Sequence, residues 1–173
     1  MGAARAELVE HGPGAVGLRA VARRAGLSHG APGYLFGDRA GMLTALAARG
    51  FIELAEVLER DAAGEDRTRL ARLGDAYVAY GLANGALYDL MFHRDAVHPD
   101  DPDLQAAKAR ALEPLLRATE PEAAGGAPVE AMMSWALVHG LVTLAREGAL
   151  PIQEHALLPT LHAITAGWRT PRR

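Results

Sequence analysis

Apolar residues recur along this chain with the spacing of α-helices. One run has apolar residues at i, i+3, i+4 and i+7, and a glycine suited to ending a helix follows it: Leu18, Val21, Ala22, Ala25 and Gly26. A longer stripe begins after Asp38, which can cap a helix, and comprises Leu43, Leu46, Ala47, Gly50, Phe51, Leu54 and Leu58. Alternating apolar and polar stretches are short, and β-branched residues are few. The pattern predicts an all-α protein.

Glycine, proline and polar residues divide this pattern into about nine helices. The first should span about residues 3–10 and stop at Gly12-Pro13-Gly14. Ser28 is the expected N-cap of a very short third helix that ends near Phe36. After the long fourth helix we expect helices at about 67–84, just after 85, at 103–118, 129–147 and 151–166. Pro159 is expected to kink or split the last of these.

Composition and charge narrow the class of protein. The chain has 173 residues, which is room for one large domain or two small ones. It has no cysteine, which excludes disulfides and thiolate chemistry. No secretory signal precedes the first helix, and the most apolar window, residues 131–145, is too short to span a bilayer. We therefore expect a cytoplasmic protein with no membrane partner.

The net charge of −3 argues against a generally basic nucleic-acid binder, but the charge is unevenly distributed. Residues 1–50 contain six arginines and three acidic residues, which gives +3. Residues 51–173 contain twelve basic and eighteen acidic residues, which gives −6. Such a difference between segments points to a nucleic-acid contact in the first one.

Motifs for catalysis or metal binding are weak. Residues 12–17 match G-x-G-x-x-G, but a dinucleotide-binding site needs a buried strand before this motif, and here a polar helix precedes the motif. We therefore interpret residues 12–17 as a turn between helices. The densest group of possible metal ligands lies across a helix end and a loop, which is typical of a solvated loop: His93, His98, Asp100, Asp101 and Asp103. The sequence thus predicts neither an enzyme nor a bound metal or cofactor.

The most informative segment is residues 18–36, where a helix, a glycine-containing turn and a second short helix follow one another. This order predicts a helix-turn-helix, whose second helix can enter the major groove of DNA. Arg19, Arg23 and Arg24 give the first helix positive charge for phosphate contacts. The alternative interpretation is a helical hairpin within an α-bundle.

The same segment carries a resemblance to a known family. Residues 6–54, and especially Leu18–Pro32 with Phe36-Gly37-Asp38-Arg39, look like the DNA-binding domain of TetR-family transcriptional regulators. The resemblance implies a three-helix DNA-binding domain at residues 1–50, with the helix-turn-helix at about 17–36, and a buried Phe36. It also implies the DNA contacts Ser28, His29, Gly30, Gly33, Tyr34 and Arg39.

The remaining residues, 51–173, resemble the WHG-type C-terminal domain of that family, named after a pattern that this chain carries as Trp135, His139 and Gly140. The resemblance implies a helical domain for regulation and dimerisation. Candidates for binding a small apolar effector are aromatic, Met and His residues: Tyr77, Tyr80, Tyr88, Met91, Phe92, Met132, Trp135 and His139. The alternative is that these side chains only fill the core.

Helices eight and nine are the expected dimer surface, where they would form a four-helix bundle across a two-fold axis. Small and apolar residues of the eighth helix would allow close approach of a partner helix: Ala136, Leu137, Gly140, Leu141 and Leu144. Together these features predict a homodimeric, ligand-responsive repressor that binds a palindromic double-stranded DNA operator.

Two other hypotheses stay open. Gly33 and Leu35 stand where the family usually has an aromatic and a polar residue, and the first helix is short, so the chain could be a ligand-binding or interaction module without DNA binding. An all-α enzyme has only scattered histidines in its favour.

Overall fold

The computed structural model describes residues 1–28, 30–61, 68–119 and 129–168. Over these residues the chain forms nine α-helices with no strand, and short 3-10 helices at Arg94–Ala96 and Glu154–Ala156. The α-helices are α1 (Gly2–Ala15), α2 (Leu18–Arg24), α3 (Ala31–Phe36), α4 (Arg39–Asp61), α5 (Thr68–Ala83), α6 (Gly85–Phe92), α7 (Pro102–Ala118), α8 (Val129–Arg146) and α9 (Leu157–Trp168). The predicted all-α class is confirmed. None of these helices is long and apolar enough to cross a membrane.

The chain forms two compact units, and the first comprises Met1–Ala55 and Asn84–Ala111. In this unit α1 packs against α2 and α6, and α2 packs against α3. The predicted stripe of α4 is buried, and its Phe51 meets the ring of Phe92 edge-on at 5.4 Å between centroids. At Gly50 the backbone of α4 comes so close to α6 that a Cβ there would lie 2.7 Å from the Met91 sulfur. The apolar stripe therefore holds α4 and α6 together.

The second unit comprises Glu56–Ala83 and Leu112–Arg173. Its helix α5 packs against α8 and α9, and α8 also packs against α9. Val78 and Val142 are fully buried in this unit, as is Leu157 at the start of α9. The first unit thus includes residues 84–111 besides the N-terminal segment, and the predicted division into domains at residue 50 stays a prediction.

Two predicted helix starts are wrong, and proline explains both. Ser28 is not the N-cap of α3, because that helix begins at Ala31 with Gly30 as its N-cap. Starting at Ser28 would put Pro32 at the first position whose N–H must bond within the helix, whereas the observed start leaves Pro32 in the first turn. Likewise α9 begins at Leu157 and not near Pro151, so Pro159 lies in its first turn and neither kinks nor splits it.

The other predicted ends agree well with the structure. Gly12, with φ of +73°, kinks α1 close to the expected stop, but residues 13–15 are helical again, so only Val16 and Gly17 of the G-x-G-x-x-G segment lie between helices. Asp38 caps α4, since its Oδ1 accepts a 2.7 Å hydrogen bond from the Gly41 N–H. That bond is the main cause that lowers the pKa of the Asp38 carboxyl.

Candidate nucleic-acid interface and regulatory site

The turn between α2 and α3 has the geometry of a helix C-terminus built on glycine. Gly26 has φ of +65°, its N–H donates to the Arg23 carbonyl at 3.2 Å, and the Leu27 N–H donates to the Ala22 carbonyl at 2.9 Å. These two bonds form a Schellman motif, which satisfies the last carbonyls of α2 and reverses the chain. The motif places α3 directly after α2, as a helix-turn-helix requires.

Helix α3 has an inner and an outer face. Pro32 is fully buried, whereas Phe36, which was expected to be buried, is only half-buried because it is the last residue of α3. These residues are four apart, so both point into the first unit. Tyr34 is 92% exposed and Leu35 is 62% exposed on the other side. Of the remaining predicted DNA contacts, Ser28 and Gly30 are exposed and Gly33 is half-buried. His29 lies outside the described residues.

Four of the six arginines in residues 1–50 are engaged within the first unit. Arg24 donates to Glu7 at 2.7 Å and to both oxygens of Glu10, and this lowers the pKa of Glu10. Arg5 bonds to Glu53 and to the Asn84 side-chain oxygen, and Arg49 also bonds to Glu53. The predicted phosphate contact Arg39 donates to the carbonyl oxygens of Pro13, Gly14 and Val16. The guanidinium of Arg39 thus holds the end of α1 and its C-cap residue Val16 in place.

The remaining two arginines of residues 1–50, Arg19 and Arg23, lie on α2 and differ from the other four in their partners. Arg19 and Arg23 are both exposed, and within the described part of the chain no carboxylate lies within salt-bridge distance of either. Their spacing of four places both side chains on one face of α2. The positive charge that the sequence assigned to the whole first segment is therefore available to a partner mainly at these two positions.

The predicted loop residues near position 100 have local partners. The Asp101 Oδ1 accepts from the Leu104 N–H at 2.9 Å and so caps α7. His98 lies 3.5 Å from Asp38 through its Nε2, and its backbone N–H donates to the Thr44 hydroxyl at 2.8 Å. Among the described residues, no three His, Asp or Glu side chains are grouped as a metal site would need.

In the second unit, three predicted effector contacts form one hydrogen-bonded group. The Trp135 Nε1–H donates to the Tyr77 oxygen at 3.3 Å, and Tyr77 shares a 2.9 Å hydrogen bond with His139 Nδ1. Since the Tyr77 oxygen already accepts from Trp135, its own proton can be donated to Nδ1, which requires a neutral imidazole. Partial burial lowers the pKa of His139 and favours that same neutral form. The spacing of four residues predicted that Trp135 and His139 share a helix face. The sequence did not indicate that Tyr77 contacts them, because Tyr77 lies 62 residues from His139.

The other predicted effector contacts are divided between the two units. Tyr80 is buried on α5, while Met132 on α8 is 48% exposed. Tyr88 and Met91 are buried in the first unit, and Tyr88 packs on Phe92 at 5.0 Å between ring centroids. These contacts favour the core interpretation for Tyr88, Met91 and Phe92, and a role of any of them in effector binding stays a prediction.

The first unit also contains a groove that the sequence did not indicate. It has a volume of about 570 Å³, and alanines and charged residues of α4 and α7 both line it, among them Ala45, Ala48, Ala107, Arg49, Asp103 and Arg110. No predicted effector contact lines it. Packing of two helices through alanines leaves this space, and alanines on predicted helices are too common to reveal it from sequence.

The predicted dimer residues lie mostly on the outer side of α8. Ala136 and Leu144 are exposed, Leu137 and Gly140 are half-exposed, and a Cβ on Gly140 would meet no atom within 4 Å. Leu141 is buried within the unit, with 9% exposure. Met133, 53% exposed, extends the apolar stripe by one turn. This surface is accessible to another molecule, except at Leu141.

The fold and these surfaces define a class of protein: a helix-turn-helix protein whose recognition helix is exposed and whose second unit is a helical bundle. Comparisons agree. The sequence model described as "Bacterial regulatory proteins, tetR family" matches residues 1–46, and the model described as "Tetracyclin repressor-like, C-terminal domain" matches residues 70–164. The chain belongs to the TetR family of transcriptional regulators, and its N-terminal domain is a DNA-binding domain. The WHG subtype stays a prediction.

Solved structures share this fold. A protein of unknown function from Rhodococcus sp. RHA1 is 30% identical, with a TM-score of 0.78 over 96% of this chain and 90% of the other. The putative regulatory protein SCO4313 is 22% identical, with a TM-score of 0.70 over 95% and 91%. The TetR family transcriptional regulator PfmR from Thermus thermophilus is 18% identical, with a TM-score of 0.70 over 98% and 97%. No curated protein sequence matches this chain.

Proposed function

We propose that the protein is a homodimeric, ligand-responsive repressor that binds a palindromic operator in the cytoplasm and catalyses no reaction. One observation carries the DNA-binding part of the proposal. The exposed outer face of α3 follows directly after a helix whose Arg19 and Arg23 are exposed and have no carboxylate partner among the described residues. Exposed arginines of this kind contact phosphates, while the next helix lies in the major groove.

Binding to the DNA upstream of its own coding sequence, measured at several salt concentrations, tests this part. Each phosphate contact contributes about 0.9 to the slope of log affinity against log salt. In a dimer Arg19→Ala removes two contacts, so the slope should fall in magnitude by about 2. Arg117→Ala is the matched control, because Arg117 is also exposed but lies on α7 and pairs with Glu113. A wild-type protein without salt-dependent binding to any DNA fragment would contradict the proposal.

For the effector we propose the group of Tyr77, Trp135 and His139 as the polar part of the site. Their hydrogen bonds lie within a unit whose core contains fully buried apolar side chains such as Val78, Val142 and Leu157, and a few polar atoms in apolar surroundings are typical of sites for small apolar ligands. An effector that bonds to the Tyr77 hydroxyl would have to displace Trp135 or His139. Such a displacement changes contacts between α5 and α8 and can thereby favour one conformation over another.

A panel of small apolar compounds, scored by fluorescence anisotropy for release of bound DNA, tests the effector proposal. Tyr77→Phe keeps the ring and removes the hydroxyl, so it should shift the concentration of an active compound needed for release. Tyr88→Phe is the control for unspecific effects, because it removes a hydroxyl from a buried tyrosine that packs on Phe92 in the first unit. The proposal fails if every active compound releases DNA from Tyr77→Phe and from the wild type at the same concentration.

For dimerisation we propose the outer stripe of α8, with Ala136, Leu137, Gly140 and Leu144, while Leu141 is buried beneath it within the unit. Gly140 and Ala136 leave room for the backbone of a partner helix, and Leu144 adds an exposed apolar side chain. Leu144→Glu would bury a charge in this interface and should give a monomer in sedimentation experiments at micromolar concentration. Leu116→Glu is the matched control, because Leu116 is 37% exposed on α7, outside the stripe. A dimer that survives Leu144→Glu would place the interface elsewhere.

A further inference from the structure

The outer face of α3 offers almost no hydrogen-bonding groups to a base. Successive residues of a helix are rotated by about 100°, so with Pro32 and Phe36 pointing inward the outward arc is formed by Tyr34, Ala31 and Leu35. Of the six residues of α3, only Tyr34 has a hydrogen-bonding side-chain atom, its hydroxyl at the end of the ring. The bidentate contacts that distinguish guanine and adenine need Arg, Lys, Asn or Gln, and α3 has none of them.

What this face does offer is apolar surface. Leu35 is 62% exposed and Tyr34 is 92% exposed, and Ala31 lies between them on the helix surface. In the major groove the thymine C5 methyl group is the apolar feature of a base edge, and side chains such as Ala and Phe recognise it. Arg19 and Arg23 on the preceding helix supply charge that complements the phosphates beside that groove. The charge identifies DNA as the occupant of this apolar face.

We propose that α3 reads its operator mainly through thymine methyl groups, which Leu35, with Ala31 and the ring of Tyr34, contacts in the major groove. This inference rests on the proposed function and names the chemical feature that the DNA must present. Each operator half-site therefore contains at least one thymine opposite Leu35. The same inference gives Leu35 a role in DNA recognition, whereas the sequence alone suggested it as a sign of lost DNA binding.

Replacement of thymine by deoxyuridine tests the inference, because it removes the C5 methyl and leaves every hydrogen-bonding group of the base pair unchanged. The probe is a duplex selected by the full-length protein from a random-sequence pool, prepared with thymine or with deoxyuridine. Burial of one methyl should be worth about fourfold in affinity, or about fifteenfold for one methyl in each of two half-sites. Leu35→Ala should reduce the preference for thymine severalfold, since the side chain that makes the main methyl contact is shortened.

The control variant is Val9→Ala, which shortens an equally exposed apolar side chain on α1, 65% exposed, and should keep the full preference for thymine. Since Leu35 is largely exposed, its truncation should leave the fold intact, and circular dichroism checks this. The inference is overturned if the wild type binds both duplexes equally, or if Leu35→Ala keeps the wild-type preference for thymine. A protein that selects no sequence from the pool overturns the proposed function itself, and this inference with it.

Discussion

Replacing Gly41 by alanine should test how the recognition helix is joined to the rest of the first unit. Gly41 lies in the first turn of α4, and a Cβ built on it would lie 2.1 Å from the carbonyl oxygen of Phe36, the last residue of α3. Ordinary contacts between a carbon and an oxygen are longer than 3 Å, and the obstructing atom is backbone, so no side-chain rotation relieves the clash. The end of α3 must move by about 1 Å relative to α4.

The magnitude follows from two opposing effects. Overpacking that shifts backbone costs about 1–3 kcal/mol, and a clash with a backbone atom belongs at the upper end of that range. Alanine in place of glycine returns at most about 1 kcal/mol through helix propensity. The movement also disturbs the hydrogen bond from the Gly41 N–H to Asp38. We therefore expect Gly41→Ala to lower the free energy of unfolding by about 2 kcal/mol, which corresponds to a Tm lower by about 4–8 °C for a chain of this size.

Urea unfolding followed by circular dichroism measures the effect. The matched variant is Gly33→Ala, because Gly33 lies in α3 itself and a Cβ there would meet no atom within 4 Å. Its helix propensity gain should raise the stability by about 0.5–1 kcal/mol, so the two glycine substitutions should have opposite signs. A Gly41→Ala variant as stable as the wild type would show that the end of α3 does not lie this close to α4.

Three further perturbations test individual contacts. Arg39→Ala should lower the free energy of unfolding by about 1–3 kcal/mol, because the Pro13, Gly14 and Val16 carbonyls lose a charged donor. Arg117→Ala should change the free energy of unfolding by less than about 0.5 kcal/mol, and equal effects of the two substitutions would contradict the role of Arg39. Gly50→Ala should cost about 1 kcal/mol in the same urea assay, less than Gly41→Ala, because the flexible Met91 side chain can move; a loss as large as for Gly41→Ala would show that it cannot. Folding lowers the pKa of His139, so the unfolded state binds more protons as the pH falls below about 6.5, and the wild type should lose stability over that range. His139→Asn should lose less stability between pH 7 and pH 5, and a pH profile equal to that of the wild type would show that the pKa of His139 does not change on folding.

Much of the fold could be predicted because it depends on local signals. The apolar stripe of α4, the glycine at the end of α2 and the Asp38 cap each lie within a few residues of the feature they determine. The two wrong helix starts came from weighing a cap residue or a proline alone. At α3 the position of Pro32 outweighed the capping preference of Ser28, since a proline is tolerated only where its missing N–H is not needed.

The site could be predicted only in part. That α3 carries the exposed residues of a recognition helix followed from the motif, but which arginines serve DNA did not. Arg24 and Arg39 looked equivalent to Arg19 and Arg23 in the sequence, and only the folded first unit shows that the former bond to Glu7, Glu10 and backbone carbonyls. Ion pairs and hydrogen bonds such as these join residues 14 to 26 positions apart, for which sequence spacing contains no signal.

By itself the sequence determined the helical class, most helix boundaries and the place of the helix-turn-helix, because periodicity, capping and turn chemistry are properties of neighbouring residues. Tertiary structure alone decided the direction in which each face points: Leu35 outward, Pro32 inward, and Tyr77 onto His139. Those outcomes depend on which helices meet, and the packing of distant segments is a property of the whole chain and not of a local pattern. The charge of the first segment shows the same division, since composition set its sum and packing left it accessible mainly at Arg19 and Arg23.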